Sequence, residues 1–378
     1  MKRIWLLGTM CAIVLIAGLV FTGCSKDSEG AEDKGKVYEL TFAAPHPMEV
    51  PMMKEINSAW KNWIEAESDG RIKITFYPAE QLVSAADHYD AARDGIVDIG
   101  CQMFMTAPGR FPVSEVVMLP FLFDSPGAMA ATMTAQELYD RYPEIQKEYK
   151  GVKFLGYHCA ALQQVNTVDK PIKTMEDLDG LLVNAAGTYA VGLTKALGAT
   201  PEMMAPNEKY DALAKGIVVG NIGEWEGQVS WNLYEITNYS TQADLMTFAF
   251  VHVMNEDTWN SLPEDLQKLF SDENNLKQSL ALSYVFDRDN EKYRKIVEDA
   301  YAKRGYPEIY VLPEEERERW KSVAEPVYEQ WVENAAKKIG EEKAREILAA
   351  ARELAEKNNT DHLDQGKAIL DEWNSAGE

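Results

Sequence analysis

From Val37 onward the chain alternates between two hydrophobic rhythms, and this alternation limits the fold more than any other feature. Val37 to Ala43 (VYELTFA) and Arg71 to Pro78 (RIKITFYP) read as strands, while Met52, Met53, Ile56, Trp60 and Trp63 between them share one face of a helix. A second helix over Ala85 to Asp94 leads through Gly95 into a buried-type strand, Ile96 to Phe104. A long helix over Gly127 to Tyr149 then leads into Val152 to Tyr157. Strands separated by helices suit a parallel-rich sheet with helices packed on its faces.

The alternation restarts at Thr174. Leu181 to Ala185 is a short strand, Tyr189 to Leu197 a helix closed by Gly198, and Thr200 to Ala205 another strand. Asn207 is placed to cap a helix that ends at Gly216. The pattern therefore predicts a second α/β lobe. Asp244 to Met254 (DLMTFAFVHVM) reads as a long apolar strand returning to the first lobe, and only helices follow: one over Leu276 to Arg304, then others from Pro313. The acidic helices after Pro313 are expected to brace the lobes rather than form a dimer interface, so a monomer is expected. No tandem repeat of fixed period is present.

Lys2 and Arg3 precede an apolar run, Ile4 to Phe21, that stops at Thr22-Gly23-Cys24. A spanning helix needs ~20 apolar residues, and this run is slightly short and ends in small residues, so it reads as an export signal. Thr22 and Gly23 before Cys24 resemble the lipobox of bacterial lipoproteins, in which the cysteine is lipidated; Phe21, where Leu is commoner, departs from it. The expectation is an extracytoplasmic protein tied by Cys24 to a bacterial membrane, in the periplasm or on the outer face of the cell. An ordinary cleaved signal with an incidental cysteine is the alternative. Residues 24–36 form a polar tether with nothing to bury. Cys101 and Cys159 then remain, expected as buried free thiols, with a disulfide as the alternative. Loss of Lys2 and Arg3 takes the formal charge from -23 to -25, which argues against nucleic acid as a partner.

Several segments resemble the solute-binding proteins of tripartite ATP-independent periplasmic (TRAP) transporters, of the DctP type. They are GRIKITFYPAEQL at Gly70, RDGIVDIG at Arg93, PGRFPVSEVVMLPFLF at Pro108, KPIKTMEDLDGLLV at Lys170, LGATP and EKYDALAKG around Gly198 and Tyr210, and VMNEDTWNSLP at Val253. They run in the family's order over nearly the whole mature chain. The resemblance implies a two-lobe, periplasmic-binding-protein-like α/β fold with a ligand cleft and a long helix spanning both lobes. Its divisions would be 1–23 signal peptide, 24–36 tether, 37–158 with 247–285 as lobe I, and 159–246 with 286–378 as lobe II and the spanning and C-terminal helices. It also implies capture of a small-molecule solute by cleft closure and delivery to TRAP permease subunits in the membrane. A sensor lipoprotein of the same fold, presenting its ligand to a receptor, would read identically.

The expected cleft departs from the family. Many members carry an arginine in the strand after the EDLKG-like segment, where its planar fork pairs with a substrate carboxylate. Here that position is Asn184, and Gln163 stands where a second arginine often precedes the KP motif. Gly223-Glu224-Trp225-Glu226 falls where the family places cleft residues, and a tryptophan face beside carboxylates attracts cations. The sequence therefore points to an amine or another polar solute held by Glu224, Trp225, Glu226 and Asn184, with a weakly acidic or neutral organic molecule as the alternative. His46, in a loop after the first strand, is a further candidate, and Tyr89, Met103, Phe104 and Phe248 are candidates for an apolar wall. His158, His252 and His362 show no ligand spacing, so neither a metal nor a cofactor is expected. No nucleophile elbow, HExxH helix, Walker loop or dinucleotide fingerprint is present, so the protein reads as a binder and not an enzyme.

Overall fold

A computed structural model describes residues 35–376. The expected signal peptide, Cys24 and nearly all of the tether lie outside the described residues. The first half alternates β1 (Tyr38–Ala44), α1 (Ser58–Glu67), β2 (Ile72–Pro78), α2 (His88–Arg93), β3 (Ile99–Met103), α3 (Ala128–Arg141), α4 (Pro143–Gln146) and β4 (Val152–Cys159). It continues with β5 (Gln164–Thr167), β6 (Leu182–Asn184), α5 (Thr188–Ala196), β7 (Thr200–Glu202), α6 (Lys209–Ala214), β8 (Gly220–Gly223), α7 (Trp225–Ser230) and β9 (Tyr239–Gln242). The last part holds β10 (Ala249–Asn255), α8 (Glu256–Ser261), α9 (Glu264–Gln267), α10 (Asp272–Lys303), β11 (Tyr310–Val311), α11 (Glu314–Ser322), α12 (Glu325–Ile339), α13 (Glu341–Asn358) and α14 (Leu363–Ala376).

These strands build two sheets, one per lobe, ordered β2-β1-β3-β10-β4 and β11-β9-β5-β8-β6-β7. β1 pairs in parallel with β2 and β3, as a chain with helical crossovers requires, whereas β10 is antiparallel to β3 and β4. Two extended segments cross between the sheets, after β4 and before β10, and the chain passes a third time through α10 to β11. The two crossings hydrogen-bond to one another: Ala160 N–H donates to Phe248 O, Gln163 N–H to Met246 O and Leu245 N–H to Gln163 O. For this reason the strand expected from Asp244 enters the ladder only at Ala249; the residues before it pair with the other crossing.

Other expected bounds shift for local reasons. The helix expected over 127–149 breaks at Tyr142, because Pro143 cannot continue the hydrogen-bond ladder. The helix expected to be capped by Asn207 instead begins at Lys209, with Glu208 at the position before it and no side-chain capping bond. α10 is the spanning helix, about 48 Å long at ~1.5 Å per residue. Its first half packs on β4 and α3 and its second half on α7. Gly156 of β4 permits the close approach, since a Cβ there would collide with Ser279 Oγ of α10. The C-terminal helices, grouped with lobe II in the sequence reading, also serve lobe I. α13 packs on α3 and α14 on α1, where Trp373 meets Trp63 at 6.3 Å between ring centroids. Their apolar stripes, such as Ile347, Ala351 and Leu354 of α13, need a partner surface, and the outer face of lobe I supplies it.

Candidate ligand-binding site

A partly enclosed cavity of about 190 Å³ lies off the carboxyl ends of β1, β2, β3 and β8. Open α/β sheets place ligands at this end of their strands, because the loops leaving the strands converge there. The first lobe contributes His46, Met103, Met105 and Phe248, and the second contributes Asn221, Lys209, Glu224, Glu226, Trp231 and Leu233.

Five sequence candidates thus line the cavity: His46, Met103, Glu224, Glu226 and Phe248. The other five lie elsewhere. Tyr89 and Phe104 join an aromatic core around Phe111, at ring-centroid distances of 5.2 and 4.6 Å, and the Tyr89 hydroxyl donates to Glu148 O. Gln163 is buried in the crossing segment, its main chain engaged with Leu245 and Met246. Asn184 is fully buried and donates through Nδ2 to Glu202 O at 3.0 Å, which ties β6 to β7. Its Oδ1 has no partner among the described residues.

Trp225 is fully buried against Tyr293, Val297 and Tyr301 of α10. Helix geometry explains its separation from Glu226: successive residues point about 100° apart, so only one of the two can face the cavity. The indole at the wall is Trp231, just past the end of α7. Trp231, Asn221 and Lys209, with the apolar Met105 and Leu233, are among the lining residues that sequence reasoning missed. A signal existed for Lys209, which stands inside the EKYDALAKG segment as a cation on a short helix.

The charged wall is unevenly balanced. Glu226 is buried, and among the described residues the one hydrogen bond to its carboxylate comes from the Ser230 hydroxyl one turn on. Burial, with Glu224 nearby, pushes its carboxyl up to about 7. Glu224 is also raised by burial, with Lys209 acting against the rise. Gly227 makes room for that carboxylate, since a Cβ there would lie 2.7 Å from Glu224 Oε1. Lys209 is lowered by burial and held up by Glu224. Among the described residues, no opposite charge lies within ion-pair distance of Lys209, Glu224 or Glu226. On the facing wall, burial holds His46 neutral, down to about 4, and its Nδ1 has no partner among the described residues.

Away from the cavity, the first sheet gathers Cys101, His158 and His252, whose ligand-type atoms lie within 4.8 Å of one another. Sequence spacing gave no sign of this, because β10 register against β3 and β4 brings them together. His252 Nε2 lies 2.9 Å from His158 Nδ1 and 3.5 Å from Cys101 Sγ. The outward nitrogens, His158 Nε2 and His252 Nδ1, have no partners among the described residues, so the second layer of hydrogen bonds that orients metal-bound imidazoles is missing. The cluster reads as a buried hydrogen-bonded trio. Cys101 and Cys159 are both free thiols.

Residues 42–335 match the family described as bacterial extracellular solute-binding protein, family 7, or DctP. A TRAP solute-binding protein of Rhodoferax ferrireducens T118, solved with copurified benzoate, is 29% identical with a TM-score of 0.78, over 85% of this chain and 98% of that one. A marine metagenome TRAP solute-binding protein, solved with 3-hydroxybenzoate, is 28% identical with a TM-score of 0.78, over 86% of this chain and 100% of that one. The C4-dicarboxylate-binding periplasmic protein DctP of Rhodobacter capsulatus is 24% identical over 299 residues, 76% of this chain and 84% of that protein. Among the described residues no helix is long and apolar enough to cross a membrane. Two lobes, a long helix between them, a cleft at the strand ends and a family match across most of the chain lead to one assignment: the chain belongs to the DctP family and is a TRAP transporter solute-binding protein.

Proposed function

We propose that this protein is a lipid-anchored, extracytoplasmic capture protein for a small organic solute bearing a cationic nitrogen, which it delivers to a TRAP permease. The observation that carries the reading is Glu226, a buried carboxylate at the cavity wall with no cation within ion-pair distance among the described residues. An unpaired buried charge costs several kcal/mol, and a ligand cation is the group that would relieve it. The Trp231 indole beside it favours the same charge. No arginine lines the cavity among the described residues, so the fork that grips a carboxylate in many relatives has no counterpart there.

A thermal-shift screen of the protein lacking residues 1–23 tests this against amines, quaternary ammonium compounds, carboxylates and sugars. A ligand at 100 times its dissociation constant stabilises by about 2.7 kcal/mol. Cationic compounds are expected to give the large shifts. Glu226→Gln should abolish them while Gln163→Ala changes little. Shifts with carboxylates alone would defeat the reading of the ligand and leave the family assignment intact.

A further inference from the structure

We infer that the solute is a zwitterion, with its cationic end at Glu226 and its anionic end at Lys209. This deepens the proposed function and rests on the same cavity. Lys209 opens α6 and reaches the cavity wall half-buried, making no hydrogen bond or ion pair among the described residues. Glu224 lies close enough to influence it and to be influenced in turn, yet the two are not in ion-pair contact. The cavity thus holds an unpaired cation and unpaired carboxylates on the same lobe. Glu80 also borders it, but at the exposed rim, where water solvates the carboxylate.

A ligand carrying only an amine would leave Lys209 uncompensated on closure, and would bring a like charge near it. A ligand carrying only a carboxylate would leave Glu226 uncompensated and add a second anion beside it. A molecule with both charges answers both groups, and cleft burial magnifies each term because the local dielectric is low. Apart from Glu80 at the rim, the facing wall carries no charge among the described residues: Met103, Met105 and Phe248 present apolar surface and His46 a neutral ring whose Nδ1 has no partner. That wall suits the uncharged body of the ligand. The partner for the anionic end thus comes from the start of α6 and acts as a point charge.

Calorimetric titration with charge-matched series tests the assignment. One series is L-phenylalanine, 2-phenylethylamine and 3-phenylpropanoate; the other is N,N,N-trimethylglycine, tetramethylammonium and acetate. In at least one series the zwitterion should bind about tenfold or more tighter than either single-charge member, a difference of about 1.4 kcal/mol. Lys209→Met should remove that advantage while leaving the cation's affinity equal or improved, and Lys209→Arg should keep most of it. Thermal melts of each variant establish that it folds. An unchanged zwitterion affinity in Lys209→Met, or no binding by either zwitterion, overturns the inference, and cation binding lost in Glu226→Gln would then leave the proposed function standing. Binding of carboxylates alone, indifferent to Glu226→Gln, overturns both.

Discussion

If the proposed cation meets Glu226, this residue sets the pH at which the site works. Its carboxyl, raised to about 7, must lose its proton to meet a cation, so below that pH binding has to displace the proton first. Cation affinity should fall about tenfold per pH unit between pH 7 and 5 and level off above 8. In the empty protein the sign is opposite. The folded carboxyl lies above its usual value of 4.5, so its contribution to stability is full below 4.5 and is lost as pH rises through about 7. Ligand-induced thermal shifts should therefore be larger at pH 8 than at pH 5.5. Titration calorimetry across this range checks it, and a flat profile that matches Glu226→Gln would remove Glu226 from the binding step. The candidates that reached the cavity share one trait: each sits at or next to a strand terminus or at the start of a helix, where position follows from chain order. Trp225 and Glu226 could not be separated without the phase of a six-residue helix, and Tyr89 and Phe104 look the same in sequence whether they face a ligand or one another. Lys209 does not stand out in the sequence because a helix lysine is commonplace, and its place at the cavity wall, near Glu224 but out of ion-pair contact with it, exists only in three dimensions.

At the scale of elements, α10 does more than connect. α3 starts after Gly127, which has no side chain to cap it, and Asp287 of α10 fills the role: its carboxylate accepts from Ala128 N–H at 2.9 Å and Met129 N–H at 2.8 Å. At the other end, Arg304 closes α10 by donating to Tyr234 O, Glu235 O and Thr237 O of the second lobe. Asp287→Ala would leave the buried Met129 N–H unpaired and the Ala128 N–H with Pro126 O as its one remaining acceptor among the described residues. A destabilisation of about 1–3 kcal/mol is expected, with Asp287→Asn retaining part of it. Urea unfolding measures this, and an unchanged midpoint for Asp287→Ala would show that α3 needs no external cap. The elements themselves were legible because their apolar periods are strong, as in Met53 and Ile56 of the π-helical turn at Met52–Asn57 and Trp60 and Trp63 of α1, which continues it. What escaped was decided by distant partners. The crossing segment before β10 is as apolar as a strand, yet it pairs with Ala160 and Gln163, and the stripe on α13 does not announce that it will rest on α3.

For the molecule as a whole, the division of labour across the cavity bears on how capture happens. Lys209, Glu224 and Glu226 belong to the second lobe, whereas His46, Met103 and Phe248 belong to the first. A ligand can meet its charged partners in an open cleft, but it gains the apolar wall only when the lobes come together. The closed state is then favoured by the contacts made only there, which is the thermodynamic content of ligand-driven closure. The two crossings and α10 join the lobes, and the C-terminal helices bridge them again, with α12 resting on α5 and α13 on α3, so closure would be a bend about these links. Small-angle scattering should record a smaller radius of gyration when a saturating ligand is added to the wild type. Phe248→Ala removes part of the first lobe's wall and leaves the charged wall intact; it should weaken binding by about 10- to 100-fold, the worth of a partly lost apolar contact. At saturation this variant should bind while contracting less than the wild type, because the charged contacts persist and the reward for closing is reduced. Contraction equal to that of the wild type would show that the charged wall alone drives closure, and a wild type that binds without contracting would mean that the cavity is already in its closed form.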